Sequence, residues 1–227
     1  SYNVVKKRNK IKESGWSLSN TIHNEIDNIV NQQFGESTRT EIITKIETEN
    51  AAQSILKVIQ KKDIDLTLLG QKYGEDREGR YASEIASNAD SELLLVPEEP
   101  RHKIEHVFCA VDFSKESEKA FQTAIEISEK TRAKLFCYYV YDIRKTYFPA
   151  ATDQSLLSLE KHFEKKYRKF LTKFDLTASE VKLSFNISDR LNNSAEQLYA
   201  QAENDGADLI IVGTKGQTGS VISLLGN

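Results

Sequence analysis

Short runs that are apolar at nearly every position recur along the chain, separated by longer stretches with apolar residues three and four apart. The uniform runs are Leu66–Leu69, Leu93–Val96, Ile104–Val111, Lys134–Tyr141, Val181–Ile187 and Leu209–Val212. Runs of this length and character predict strands buried on both faces of a parallel sheet. The stretches between them predict amphipathic helices. Ser114 caps one, with apolar positions Ala120, Phe121, Ala124, Ile125 and Ile127. Another carries Leu156, Leu159, Phe163, Tyr167, Phe170, Leu171 and Phe174 on one face. A further helix is expected around Tyr81–Ala89. Helices alternating with strands predict an α/β fold built on an open parallel sheet with right-handed crossovers.

The pattern repeats. Asn50–Gly70 (NAAQSILKVIQKKDIDLTLLG) aligns without a gap on Asn193–Gly213 (NSAEQLYAQAENDGADLIIVG), at an offset of 143 residues. Asn50, Ala52, Asp65, Leu66 and Gly70 meet identical residues at Asn193, Ala195, Asp208, Leu209 and Gly213, and Lys72 and Lys215 follow in register. Each copy opens on an Asn with Gln or Glu three residues later (Gln53, Glu196), a capping-box pattern, and continues into a helix and an apolar strand. Chance similarity between two helix–strand units is the alternative, and the gapless register argues against it. Two tandem copies follow: residues 1–97, a linker at 98–103 bearing Glu98, Glu99 and Pro100 just after Pro97, and residues 104–227. The offset carries the second copy's first strand to a point before residue 1, and the first copy's last strand, Leu93–Val96, beyond residue 227. The expectation is a chain clipped at both ends, the first copy without its opening strand–helix–strand and the second without its last strand. The absence of any Met fits an internal piece of a longer chain, or one from which residues are missing.

Composition narrows the function classes. With 31 basic and 34 acidic residues the net charge is -3, which gives no general reason to expect nucleic acid as a partner. The basic stretch Lys6–Lys12 lacks interleaved aromatics and reads as solvated surface. No apolar run reaches the roughly 18 residues of a membrane span, and no signal peptide opens the chain. Cys109 and Cys137 lie in strands and read as buried free thiols of a reducing cytoplasm. His102 and His106 sit in a linker and a strand start, outside any metal-ligand helix spacing. Trp16 has no readable partner, and no nucleophile–base set or carboxylate pair stands out, so no catalytic residue is assigned.

One constellation does carry chemistry. After the strand Leu209–Val212 comes Gly213-Thr-Lys-Gly216, and after nine further residues Gly226-Asn227. A glycine-rich turn between a buried strand and a helix brings backbone N–H groups close to an anion. Lys215 adds a positive charge to the loop. The spacing is neither G-x-x-x-x-G-K-[ST] nor G-x-G-x-x-G. It resembles the ATP-binding pattern of the universal stress protein family, Gly-x2-Gly-x9-Gly followed by Ser or Thr. Val111-Asp-Phe-Ser114, Tyr139-Val-Tyr-Asp142 and the ADLIIVGTKG run carry the same resemblance, which as two copies spans most of the chain.

The resemblance implies the open parallel sheet of the adenine nucleotide alpha hydrolase-like universal stress fold. It implies that Asp112 contacts a nucleoside beside Ala110 and Val111, that Val140 offers backbone to the adenine edge, and that Gly213, Gly216 and Gly226 wrap ribose and phosphates. Asn227 stands where the family has Ser or Thr, and its amide can donate a hydrogen bond to a phosphate oxygen. The implied protein is a cytoplasmic stress-response or signalling regulator that binds ATP, ADP or AMP in its second copy, with Mg2+ beside the phosphates and a pairing of domains or a homodimer. Neither nucleic acid nor membrane is expected as a partner. The alternatives are an interaction module without nucleotide, in which the glycines only turn the chain and Asp112 only starts a helix, and a weak ATPase. The first copy departs from the pattern: Gly70, Gly74 and Gly79 are spaced differently, so it is expected not to bind ATP in this way. Lys72, Arg77 and Arg80 remain candidate anion contacts there, with solvated loop charges as the plain alternative.

Overall fold

A computed structural model describes residues 11–34, 50–71, 78–142, 153–188 and 194–213. They fall into two compact units, one within Ser1–Ser54 and one within Ile55–Asn227. The first unit holds helix α1, Ile11–Phe34, and the opening turn of α2, Ala51–Lys62, where Gln53 N–H donates to the capping Asn50 Oδ1 at 3.2 Å. No helix was expected at α1, although Leu18, Ile22, Ile26 and Ile29 recur at helical spacing. The repeat offset carries its first residue, Ile11, to Gln154, inside α5 (Asp153–Leu171).

The second unit contains two parallel sheets. Strands β1 (Leu66–Gln71) and β2 (Glu92–Pro97) pair with each other, with α3 (Glu78–Asn88) between them in sequence. Strands β3 (His106–Ala110), β4 (Lys134–Asp142), β5 (Lys182–Ser188) and β6 (Leu209–Ile211) form a sheet in the order β5-β4-β3-β6. Helix α4 (Lys115–Thr131) joins β3 to β4, α5 precedes β5, and α6 (Ser194–Asn204) joins β5 to β6. The expected parallel α/β architecture is thus present.

Alternation along the strands divides the core into two layers. Val107, Cys109 and Val111 point with Cys137 toward Ala120, Phe121 and Ala124 of α4 and toward Tyr167, Phe170 and Leu171 of α5. Phe108, Ala110 and Tyr138 point the other way, onto Leu198 and Ala202 of α6. Helices cover both faces because the chain winds from β3 outward to β5 and then returns past β3 to β6. The ring of Phe121, fully buried, lies 5.1 Å from that of Phe170 and 4.9 Å from that of Phe174, centroid to centroid.

One expectation fails in part. Leu66–Leu69 was expected to be buried on both faces, yet Leu66 is 46% exposed and Leu68 60%. Among the described residues β1 pairs only with β2, so nothing of the kind that α4 supplies lies over those two side chains. At the corresponding position of the second copy, Ile211 packs into the α4 layer.

The start of the large sheet is held by Asp208. Its carboxylate accepts hydrogen bonds from the backbone N–H groups of Glu105 (2.8 Å) and His106 (2.9 Å) and from the Arg101 guanidinium (2.7 Å). Burial opposes its charge, but these donors prevail and hold the carboxyl below its usual range. A carboxyl depressed in the fold contributes stability above the unfolded value near 3.9, and that contribution disappears as pH falls through the folded value. Asp208→Asn is therefore expected to cost about 1.5–3 kcal/mol at neutral pH. The gap to wild type should begin to narrow below about pH 4 and close as pH falls through the folded value, as read from urea midpoints across a pH series.

Candidate functional site

The described candidates Ala110, Val111, Asp112, Val140 and Gly213 lie toward the carboxyl edge of the four-stranded sheet. Val111 N–H donates to the Tyr138 carbonyl at 2.9 Å, so the β3–β4 ladder continues past Ala110. The register Ala110↔Tyr138, carried two residues on, sets Asp112 level with Val140. The β3–β6 pairing ends at Cys109↔Ile211, two residues before Gly213. Ala110 and Val111 are buried, and Val140 packs on the α6 side against the Phe108, Ala110 and Tyr138 cluster. The chain leaves β3 toward β4 on one side, whereas β6 lies on the other, so the tips of β3 and β6 flank the point where strand order reverses. Open parallel sheets bind ligands beyond the strand ends at this place.

The turn after β3 is tightly built. Asp112 Oδ1 accepts a hydrogen bond from Ser114 N–H at 2.9 Å, an Asx turn. Ser114 then caps α4, its Oγ accepting from Ser117 N–H at 3.1 Å, as the sequence predicts. Between them Phe113 adopts φ +64°, a left-handed conformation that a bulky L-residue rarely takes. Its ring lies 5.1 Å from Tyr139 and 5.5 Å from Phe170, with Lys166 Nζ 4.9 Å above its face. Nothing in the sequence pattern signals this conformation, since glycine is the usual residue at a positive φ.

Gly213 is needed for a reason that the loop motif does not contain. A Cβ there would stand 3.1 Å from the carbonyl carbon of Glu116, 3.2 Å from its oxygen and 3.2 Å from Ser117 N. The segment after β6 thus runs against the first turn of α4, and any side chain there would be in tight contact with that backbone. This brings the start of the glycine loop beside the Asp112 turn. Gly216, Gly226 and Asn227, and with them Lys215, lie outside the described residues, as do Lys72 and Arg77 in the first copy.

The remaining titratable groups of the core do not offer chemistry. Cys109 and Cys137 face each other in register across β3 and β4, both buried and free. Burial pushes the Cys109 thiol up, with Cys137 adding to the effect, and burial pushes Cys137 to about 12. Tyr167 is raised by burial and then by the neighbouring Cys137, and its hydroxyl donates to the Val181 carbonyl at 2.8 Å. These groups stay protonated at neutral pH and act as packing. Among the described residues no group of three or more His, Cys, Asp or Glu could hold a metal ion, and no helix is long and apolar enough to cross a membrane.

Comparison with known proteins agrees with the architecture. Residues 103–227 match the sequence model of the universal stress protein family. No curated protein sequence matches the chain. A putative universal stress protein from Pseudomonas aeruginosa superimposes with a TM-score of 0.61 at 14% identity, over 89% of this chain and 74% of that one. A universal stress protein from Archaeoglobus fulgidus does so with a TM-score of 0.54 at 15% identity, over 99% of this chain and 73% of that one. At these identities the likeness is one of fold. A universal stress protein solved in complex with cAMP matches 48% of this chain and 75% of its own, at 17% identity and a TM-score of 0.36, too partial a likeness to transfer its ligand.

Proposed function

The chain belongs to the universal stress protein family, and from that premise we propose that its second copy, residues 104–227, binds an adenine nucleotide, ATP in the first instance. The observation that carries this reading is the alignment of Asp112, Val140 and Gly213 along one edge of the sheet, where strand order reverses. A nucleoside fits there with its base against the tip of β4 and its ribose near Asp112. The phosphates then fall to the loop that begins at Gly213, with Gly216, Gly226 and Asn227 as the remaining contacts and Mg2+ as counter-ion. ADP and AMP share the base and ribose and differ only at that loop.

The same reading assigns residues 1–97 to a first, degenerate copy joined by a linker at 98–103. Its glycine loop departs from the family pattern, and it serves pairing or structure rather than nucleotide binding. The physiological role is that of a cytoplasmic stress-response or signalling regulator, in which nucleotide orders the Gly213–Asn227 loop and alters partner binding by a population shift. The two copies pair within the chain, or the chain pairs with a second molecule.

The test is a thermal-shift titration with ATP, with and without Mg2+. A ligand at about one hundred times its Kd stabilises by about 2.7 kcal/mol, a readily measured rise in midpoint. Gly216→Val, which places a branched side chain in the proposed phosphate cradle, is expected to abolish the rise. No rise in the wild-type protein, and no nucleotide released when it is denatured, would favour a nucleotide-free interaction module. Hydrolysis in a single-turnover assay would identify a weak ATPase.

A further inference from the structure

We propose that Phe113 is a positioning residue for the nucleotide site: its left-handed backbone, locked by its own ring, aims Asp112. The inference rests on the nucleotide reading above and names a residue to which the loop motif gives no role.

The argument starts from cost. A φ of +64° forces the Cβ of an L-residue against its own backbone, and a large side chain makes this conformation rarer. Such a residue persists only where its surroundings over-determine it. Here three restraints do so. The ring is inserted between Tyr139 of β4 and Phe170 of α5, at 5.1 and 5.5 Å. Phe170 in turn touches Phe121 at 5.1 Å, so the ring is anchored in the α4–α5 layer of the core. Lys166 Nζ covers its face at 4.9 Å. On the C-terminal side Ser114 is committed to capping α4, and on the N-terminal side Val111 is committed to the β3–β4 ladder.

Asp112 lies between those commitments. Its Oδ1 is engaged by Ser114 N–H across Phe113, so the backbone conformation at 113 sets where that N–H stands relative to the carboxylate. An extended residue at 113 would carry Ser114 away and release the carboxylate from that bond. The ring therefore acts as a latch on the turn that carries the ribose-facing carboxylate.

The experiment compares variants that all lose the ring but differ in their tolerance of positive φ. Asn adopts the left-handed region more readily than other residues with a side chain, whereas Val, branched at Cβ, is excluded from it. Wild type, Phe113→Asn, Phe113→Val and the conservative Phe113→Tyr are titrated with MgATP by calorimetry, and their midpoints are measured without nucleotide. Phe113→Tyr is expected to bind as wild type. Phe113→Asn and Phe113→Val are both expected to lose thermal stability, but Phe113→Asn should bind within about threefold of wild type while Phe113→Val binds at least about tenfold more weakly. If Phe113→Val does not fold, Phe113→Ala against Phe113→Asn makes the same comparison with a smaller gap. Equal affinities in the Asn and Val variants, or affinities that simply follow the midpoints, would overturn the positioning role while leaving the site intact. A wild-type protein that does not bind MgATP would overturn the site and the positioning role together.

Discussion

Phe121→Ala is expected to cost about 3–5 kcal/mol, the range for deleting a fully buried aromatic ring. Phe121 has no exposed surface and stands where α4, α5 and β3 meet, its ring against Phe170 and Phe174. Those rings also touch each other at 5.2 Å, so the cavity is walled by side chains that already fill their own space and cannot collapse into it. Since a domain's whole margin is about 5–15 kcal/mol, the variant should sit close to its unfolding transition at 25 °C. Urea denaturation followed by circular dichroism measures the loss. Phe121→Leu, which keeps most of the volume, should lose less than half as much; an equal loss would mean that ring contacts rather than cavity formation dominate. Phe113 shares the Phe170 contact, so Phe121→Ala should also loosen the turn that carries Asp112.

The second large effect is expected at Gly213, in contrast with its repeat partner Gly70. Gly213→Ala should cost about 1–3 kcal/mol, because the new methyl group meets backbone atoms of Glu116 and Ser117 that belong to a helical turn and cannot swing aside. Gly213→Val should cost more and should weaken nucleotide binding, since relief requires the end of β6 to back away from α4. Gly70→Ala at the equivalent place in the first copy meets nothing within 4 Å. It should be neutral, or stabilising by up to about 1 kcal/mol through reduced freedom of the unfolded chain. Urea midpoints of the two alanine variants give the comparison, and a similar cost at both positions would refute the close-approach account of Gly213.

Much of the second copy was legible because its signals are local. Ser114 capping α4, the apolar run of β3 and the helical face of Leu159, Phe163, Tyr167 and Phe170 each depend on residues a few positions apart. The cysteines also read correctly as buried free thiols, since an all-apolar run leaves them no solvent. The candidate site was readable as a set of strand ends, Asp112, Val140 and Gly213, because in a parallel sheet every carboxyl end falls on the same edge. Helix α1 went unread although Leu18, Ile22, Ile26, Ile29 and Val30 recur three and four apart, because the repeat and the strand runs lie elsewhere in the chain. The exposure of Leu66 and Leu68 escaped because apolar character measures what a strand is suited to bury against, and the covering layer has to come from elsewhere in the fold.

The chain's own sequence determined the order of elements, the repeat at 143 residues and the resemblance to the universal stress protein family, because periodicity and spacing record local hydrogen bonding and burial. Only the tertiary structure decided that Gly213 is a contact point with α4, that Phe113 takes a left-handed turn, and that two equivalent glycines have unequal worth. These properties arise between segments distant along the chain. A glycine is indispensable only when another backbone occupies the space of its missing Cβ, and a strained residue survives only when a ring from one layer finds its socket in another.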